Sequence, residues 1–150
     1  PPAAEDLPRL AWTAQVLRES MRLYPPAWAI GRRTLRDHAV GPWTLPAGAV
    51  VVVSPYLLHR DPRWWPAPEA FRPERWAGED AARPLLAYLP FGAGPRMCVG
   101  EPFAWTEATL VLATIGRRFR LRPVPDRPVE LLPAITLRPR AGVWMVAEPR

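Results

Sequence analysis

Two stretches of the chain carry apolar residues at three- and four-residue spacing, and both fall where proline is absent. The first spans residues 9–24, where Leu10, Ala14, Leu17 and Met21, extended upstream by Leu7, form one apolar stripe. Asp6 is placed to cap this predicted helix, Pro8 fits its first turn, and Pro25-Pro26 ends it. The second spans residues 103–122, just after Pro102, with Ala104, Ala108, Val111, Leu112, Ile115 and Phe119 along one face. Elsewhere the pattern is extended or irregular. Residues 28–34 and 49–53 read as strands, the latter a valine run behind a Pro46-Ala47-Gly48 turn. Residues 55–90 are rich in proline and hold Trp64, Trp65, Phe71 and Trp76, which predicts a long loop wrapped over a core. Residues 134–137 and 143–146, joined through Pro139-Arg140-Ala141-Gly142, predict a terminal hairpin.

Composition narrows the class. Proline takes 22 of the 150 positions and glycine 9, so much of the molecule is loop and turn, yet the share stays below that of low-complexity disorder. Hydrophobic residues at 49% and eight tryptophans supply the apolar surface that disordered chains lack. A coiled coil is excluded, and no uncharged apolar run is long enough to span a bilayer. The net charge of +6 comes from arginine alone on the basic side; without lysine, neither a Schiff base nor a phosphate-loop lysine is available. These arginines are scattered from Arg9 to Arg150, with doublets only at Arg32-Arg33 and Arg117-Arg118. That is not the clustered patch of a nucleic-acid binder, and no nucleic-acid partner is expected. Cys98 is the single cysteine, which forbids an internal disulfide and fits a reducing compartment. Together with His38 and His59 it makes too small a set for an ordinary four-ligand zinc site.

The chemistry concentrates in Phe91-Gly92-Ala93-Gly94-Pro95-Arg96-Met97-Cys98-Val99-Gly100. Three glycines and a proline directly before a helix describe backbone that another group approaches closely. At the start of that helix, its dipole and free amides favour a negatively charged sulfur. Such a thiolate serves as a nucleophile or as a metal ligand. A nucleophile needs a histidine base, only His38 and His59 are available, and no protease-like signature surrounds Cys98. A buried cysteine packed as a small hydrophobe is the third reading; it accounts for neither the flanking glycines nor Arg96.

Here the residues resemble a known family. Phe91, Gly94, Arg96, Cys98 and Gly100 fit the F-x-x-G-x-R-x-C-x-G haem-binding signature of the cytochrome P-450 haem-thiolate monooxygenases. Independently, Glu19-Ser20-Met21-Arg22 resembles the family's E-x-x-R helix motif, followed by Leu23-Tyr24-Pro25-Pro26. Glu and Arg three apart share one helix face and can pair. Phe71-Arg72-Pro73-Glu74-Arg75-Trp76 is similar to the P-E-R-F element of the family's meander loop. The order also agrees across essentially all 150 residues: E-x-x-R helix, strands, meander, cysteine loop, final helix, terminal hairpin.

The resemblance implies a mainly α fold with small β-sheets (α+β), the C-terminal part of the cytochrome P-450 fold. It implies haem b (iron protoporphyrin IX) as cofactor, with Cys98 as the axial thiolate on iron, favouring O–O bond cleavage. Amides near Gly100 are expected to hydrogen-bond the sulfur, and Phe91 to shield it. Arg96 and Arg32 are expected to pair with the haem propionates, Arg33 being the alternative to Arg32. Glu19, Arg22 and Arg75 form the family's structural ion-pair triad. Structural roles are also implied for His59 and Glu107, and none for His38. Residues 27–30 and 132–135 correspond to segments that line the family's substrate pocket, and both are apolar.

The family is longer than this chain, and its oxygen-activating helix lies ahead of the E-x-x-R helix. With no initiator methionine before Pro1, residues 1–150 are expected to be the C-terminal haem-binding portion of one larger domain. The resulting expectation is a monooxygenase that inserts one atom of O2 into a lipophilic substrate, a fatty acid or another small molecule. Its electrons come from a ferredoxin- or flavodoxin-type donor and its reductase. The chain alone is expected to be inactive, and a truncated, non-catalytic haem-binding or vestigial fragment is the alternative. A cytoplasmic, bacterial location is expected, with an N-terminal anchor left open because the start is missing.

Overall fold

Pro8 keeps the opening turns out of α geometry, so residues Ala4–Arg9 form a 3-10 turn and helix α1 runs only over Ala11–Leu23. The computed structural model describes residues 1–78 and 83–150. Asp6 does not cap α1, whose cap position is Leu10 without a side-chain bond. Its carboxylate instead accepts the Ala3 amide at 2.9 Å and pairs with Arg9, closing the 3-10 turn. After Pro25-Pro26 the chain enters β1 (Ile30–Arg33), then the short strands β2 (His38–Val40) and β3 (Trp43–Leu45), then β4 (Val50–Val53). Strands β1 and β4 pair antiparallel, with Ile30 opposite Val53 and Arg33 opposite Val50. The β2–β3 hairpin turns at Gly41, whose φ of +58° suits glycine.

Ser54 accepts the Leu57 amide and Pro55 supplies the first position of the single-turn helix α2 (Pro55–Leu58). The described residues of the stretch that follows are irregular apart from 3-10 turns at Pro73–Trp76, Leu85–Ala87 and Gly94–Arg96. Helix α3 spans Glu101–Arg118, with Pro102 in its first turn. It stops short of the predicted residue 122 because Phe119 begins strand β5 (Phe119–Pro123), which pairs with β8 (Met145–Pro149).

The terminal hairpin also differs from expectation. Strands β6 (Leu131–Pro133) and β7 (Leu137–Pro139) form a hairpin whose turn lies at residues 134–136, within the predicted first strand. Gly142, at φ +78°, redirects the chain so that β8 returns to β5, where Arg122 and Glu148 pair across the strands at 2.7 Å.

Little of the apolar surface is deeply buried. The largest fully buried side chains are Trp65, Arg22, His59, Glu19, Pro25 and Pro55. They gather where the end of α1 meets α2 and the irregular stretch, so the best-packed region of the chain is built around charge. The apolar stripe on α1 is only half-buried. No helix among the described residues is long and apolar enough to cross a membrane.

Candidate functional site

Two arrangements, one ionic and one around the thiol, meet at the end of α1. Glu19 and Arg22, both fully buried, lie one helical turn apart and bond twice, Nε to Oε2 at 3.0 Å and Nη2 to Oε1 at 2.9 Å. The remaining guanidinium hydrogens go to main-chain carbonyls of His59 (2.8 Å), Pro68 (2.7 Å) and Ala70 (3.1 Å). All five donors of Arg22 are therefore satisfied. Glu19 further accepts Arg75 Nε at 3.0 Å, the Arg72 amide at 2.9 Å and Trp76 Nε1 at 3.0 Å. Burial pushes its carboxyl up, but the bonds from Arg22, Arg72 and Trp76 outweigh burial and hold it below the usual value. Glu19, Arg22 and Arg75 thus sit in one cluster. Among the described residues, Arg75 Nη2 and Trp65 Nε1 are buried without a hydrogen-bond partner.

His59 closes the cluster on the loop side. Its Nε2 accepts the Leu89 amide at 2.8 Å, so Nδ1 carries the proton and donates to the Arg22 carbonyl at 3.2 Å. The ring lies 5.1 Å from Tyr88 and 6.2 Å from Trp65. Burial, with the positive charges of Arg22 and Arg60, lowers its pKa from 6.5 to about 4. Burial likewise raises that of Tyr88, whose hydroxyl donates to the Arg18 carbonyl.

Downstream of Leu89 the cysteine loop is held by its own backbone. The Gly92 amide donates to Leu89 at 3.2 Å, Met97 to Gly94 at 3.0 Å, and Cys98 to Phe91 at 2.9 Å. Gly92 and Gly94 adopt φ of +76° and +70°, left-handed values that penalise a side chain. Gly100 does not; a methyl group there meets Cys98 Sγ at 3.8 Å, an ordinary contact. The Phe91 ring packs edge-on against Trp105 at 5.3 Å, and Trp105 Nε1 donates to Glu101. The loop is thereby fastened to the first turns of α3.

The loop, the end of α1 and strand β1 border an open cleft of about 320 Å3. Cys98, Arg96, Arg32, Phe91 and Gly92 line it with Met21, Pro26, Ala27, Ile30, Pro90 and Thr136. The Cys98 thiol is exposed and free. Strand alternation puts Ile30 and Arg32 on the cavity side, whereas the Arg33 guanidinium lies near Gly48. Gly94 borders a separate groove on the outer side of the loop, together with Leu85, Leu86 and Met97. Of the two apolar segments singled out from the sequence, residues 27–30 contribute Ala27 and Ile30. Residues 132–135 contribute none, although the adjacent Thr136 does. Met21, Pro26, Pro90, Gly92 and Thr136 are lining residues to which sequence reasoning gave no part in the site. The glycine-rich loop was a visible signal for Gly92; nothing local marks Thr136, which the β6–β7 turn carries there. His38 lies in exposed β2, and Glu107 on α3 borders none of these cavities.

An apolar cleft with one free thiol and two guanidiniums matches a flat hydrophobic macrocycle that carries iron and two carboxylates. Comparison with known proteins agrees. The family model for cytochrome P-450 matches residues 1–144. A cyclooctatin synthase from Streptomyces melanosporofaciens is 45% identical over 151 aligned residues, covering 99% of this chain and 32% of that protein. A cyclooctat-9-en-7-ol 5-monooxygenase from the same organism is 48% identical over 125 residues, 83% of this chain and 27% of that protein. Among solved structures, the haem domain of a cytochrome P-450DA mutant superimposes on the whole chain and on 33% of its own, with a TM-score of 0.91 at 28% identity. The chain belongs to the cytochrome P-450 family, whose cofactor is haem, and it spans about a third of the length of these relatives.

Proposed function

We propose that this chain supplies the thiolate ligand and the surrounding haem-binding face of a haem-thiolate monooxygenase. The observation that carries the reading is the convergence of Cys98, Arg96 and Arg32 on one otherwise apolar cavity. Cys98 would hold the haem iron through its thiolate, its loop pre-shaped by the Phe91, Gly92 and Gly94 backbone. Arg96 and Arg32 would hold the haem carboxylates by charge-assisted bonds. Met21, Pro26, Ala27 and Ile30 would supply apolar surface against the macrocycle. Glu19, Arg22 and Arg75 fix the irregular stretch in place and keep the cavity wall intact. When bound, haem supplies dioxygen activation, and a thiolate ligand's electron donation favours O–O cleavage. The overall reaction takes RH, O2, two electrons and two protons to ROH and water.

The electrons come from a ferredoxin- or flavodoxin-type donor, and the substrate is lipophilic. Apolar lining at Ala27 and Ile30 supports that class. A largely hydrocarbon alcohol, as in the name of the 48% identical monooxygenase, is the first substrate to try. A cytoplasmic bacterial setting is part of the reading, supported by the unpaired cysteine and the Streptomyces relatives.

We also infer that residues 1–150 are the C-terminal portion of one larger domain. Support comes from the length of the relatives and from large apolar side chains left in water, Trp12, Phe103, Val111 and Trp144 among them. Reduced carbon-monoxide difference spectra of the native-length protein and its Cys98→Ala variant test the function. A thiolate-type Soret band is expected in the first and absent from the second; a band that survives the substitution overturns the assignment.

A further inference from the structure

His59 is the one buried histidine, and the proposed chemistry gives it no part. Its contacts run in two directions. Toward α1, its carbonyl accepts Arg22 Nη1 and its Nδ1–H donates to the Arg22 carbonyl. Toward the cysteine loop, its Nε2 accepts the Leu89 amide. From Leu89 the connection continues through the backbone: the Leu89 carbonyl accepts Gly92 N–H, and the Phe91 carbonyl accepts Cys98 N–H. We infer that His59 is a positioning residue that ties the buried Glu19–Arg22 pair to the cysteine loop and thereby sets the placement of the Cys98 sulfur. The inference rests on the reading of Cys98 as the haem ligand.

The chemistry of imidazole makes the tie directional. Only the neutral ring accepts at one nitrogen while donating at the other; a protonated ring donates at both and turns an N–H against the Leu89 amide. The charged groups facing the ring favour the neutral form. Arg22 of α1 and Arg60 beside it in sequence are both cationic, and Glu19 is taken up by its own bonds to Arg22, Arg72, Arg75 and Trp76. The neighbouring rings, Tyr88 and Trp65, carry no charge. Acid therefore breaks the link at the Leu89 amide first, and the loop loses its anchor while α3 remains folded.

Glutamine at position 59 supplies an acceptor oxygen and a donor nitrogen without titrating in this range; leucine supplies neither. The test uses the haem-loaded, native-length protein with His59→Gln and His59→Leu, and two readouts. The first is the fraction of carbon-monoxide complex showing a thiolate-type rather than a neutral-thiol-type Soret band, followed from neutral pH down to about 4, where His59 takes up its proton. Wild type is expected to lose the thiolate form on acidification, His59→Leu to lack much of it already at neutral pH, and His59→Gln to keep it with a weaker pH dependence. The second is amide hydrogen exchange at Leu89, Gly92 and Cys98, which does not depend on haem chemistry. His59→Leu is expected to speed exchange there about tenfold or more relative to α3 amides, which report global unfolding. Equal thiolate fractions, or equal loop exchange, in wild type and His59→Leu overturn the inference. A wild type with no thiolate band sinks the ligand assignment, and with it the sulfur-placing role, whereas the exchange arm still shows whether His59 holds the loop.

Discussion

Glu19 is the side chain whose loss exposes the logic of the charged cluster. Its carboxylate receives two bonds from Arg22 and one each from Arg75, the Arg72 amide and Trp76, all with no exposure to water. Replacing it by alanine leaves two guanidiniums close together in a buried site, one fully and one nearly enclosed. Glu19→Ala is expected to destabilise the fold by about 3–5 kcal/mol, measured as a lowered denaturation midpoint, with haem content falling alongside. Arg75→Ala removes one arm and leaves the Glu19–Arg22 pair standing; a smaller loss of stability, with reduced haem occupancy in purified protein, is the expected result. Gly92 gives a second residue-level prediction. At φ +76°, Gly92→Ala costs about 1–2 kcal/mol of backbone strain. That strain falls on the cysteine loop, so weaker haem retention on dilution is expected to accompany it.

At the scale of elements, β1 decides which arginine does the binding. Alternation turns Arg32 toward the cavity and Arg33 away from it. Arg32→Ala is expected to weaken haem binding about tenfold or more, the loss of a charge-assisted pair, while Arg33→Ala changes it little; haem titration of the apoprotein separates them. This is also where the limits of reading a sequence are plain. The sequence marked the cysteine loop and the E-x-x-R helix because glycine, proline and helical spacing are local signals. It placed Arg32 and Arg33 on one strand, but the choice between them depended on which face met the cavity. The β5–β8 pairing was missed for a similar reason: its partners lie far apart along the chain, while Pro139 to Gly142 imitated a hairpin turn. The apolar stripe of α1 pointed toward half-buried positions, because Glu19 and Arg22 of α1 itself, with Trp65 and His59 from the chain beyond it, claim the deepest ones.

For the molecule as a whole, acid is the informative variable. His59 has its pKa lowered from 6.5 to about 4 on folding. The unfolded chain therefore binds more protons between those values, and stability falls as pH drops from about 6.5 toward 4. The loss from this group is on the order of 3 kcal/mol once pH is below the folded value. It is complete only there, and it is negligible above pH 6.5. Chemical denaturation at a series of pH values is expected to show this slope in wild type and a shallower one in His59→Gln. Glu19 acts in the same direction at lower pH: its depressed pKa adds stability that disappears as the carboxylate protonates.

The manner in which Arg22 is saturated has a consequence for how this protein diverges. Three of its five bonds end on the main-chain oxygens of His59, Pro68 and Ala70, and Arg75 reaches the oxygen of Pro66 in the same way. A carbonyl is present whatever side chain the residue carries. The charged cluster therefore reads the path of this segment and is blind to most of its lettering. Between residues 66 and 70, substitutions are free to accumulate as long as the chain keeps its course, whereas a single inserted residue shifts every oxygen out of register. Over generations the segment should change in spelling far more readily than in length.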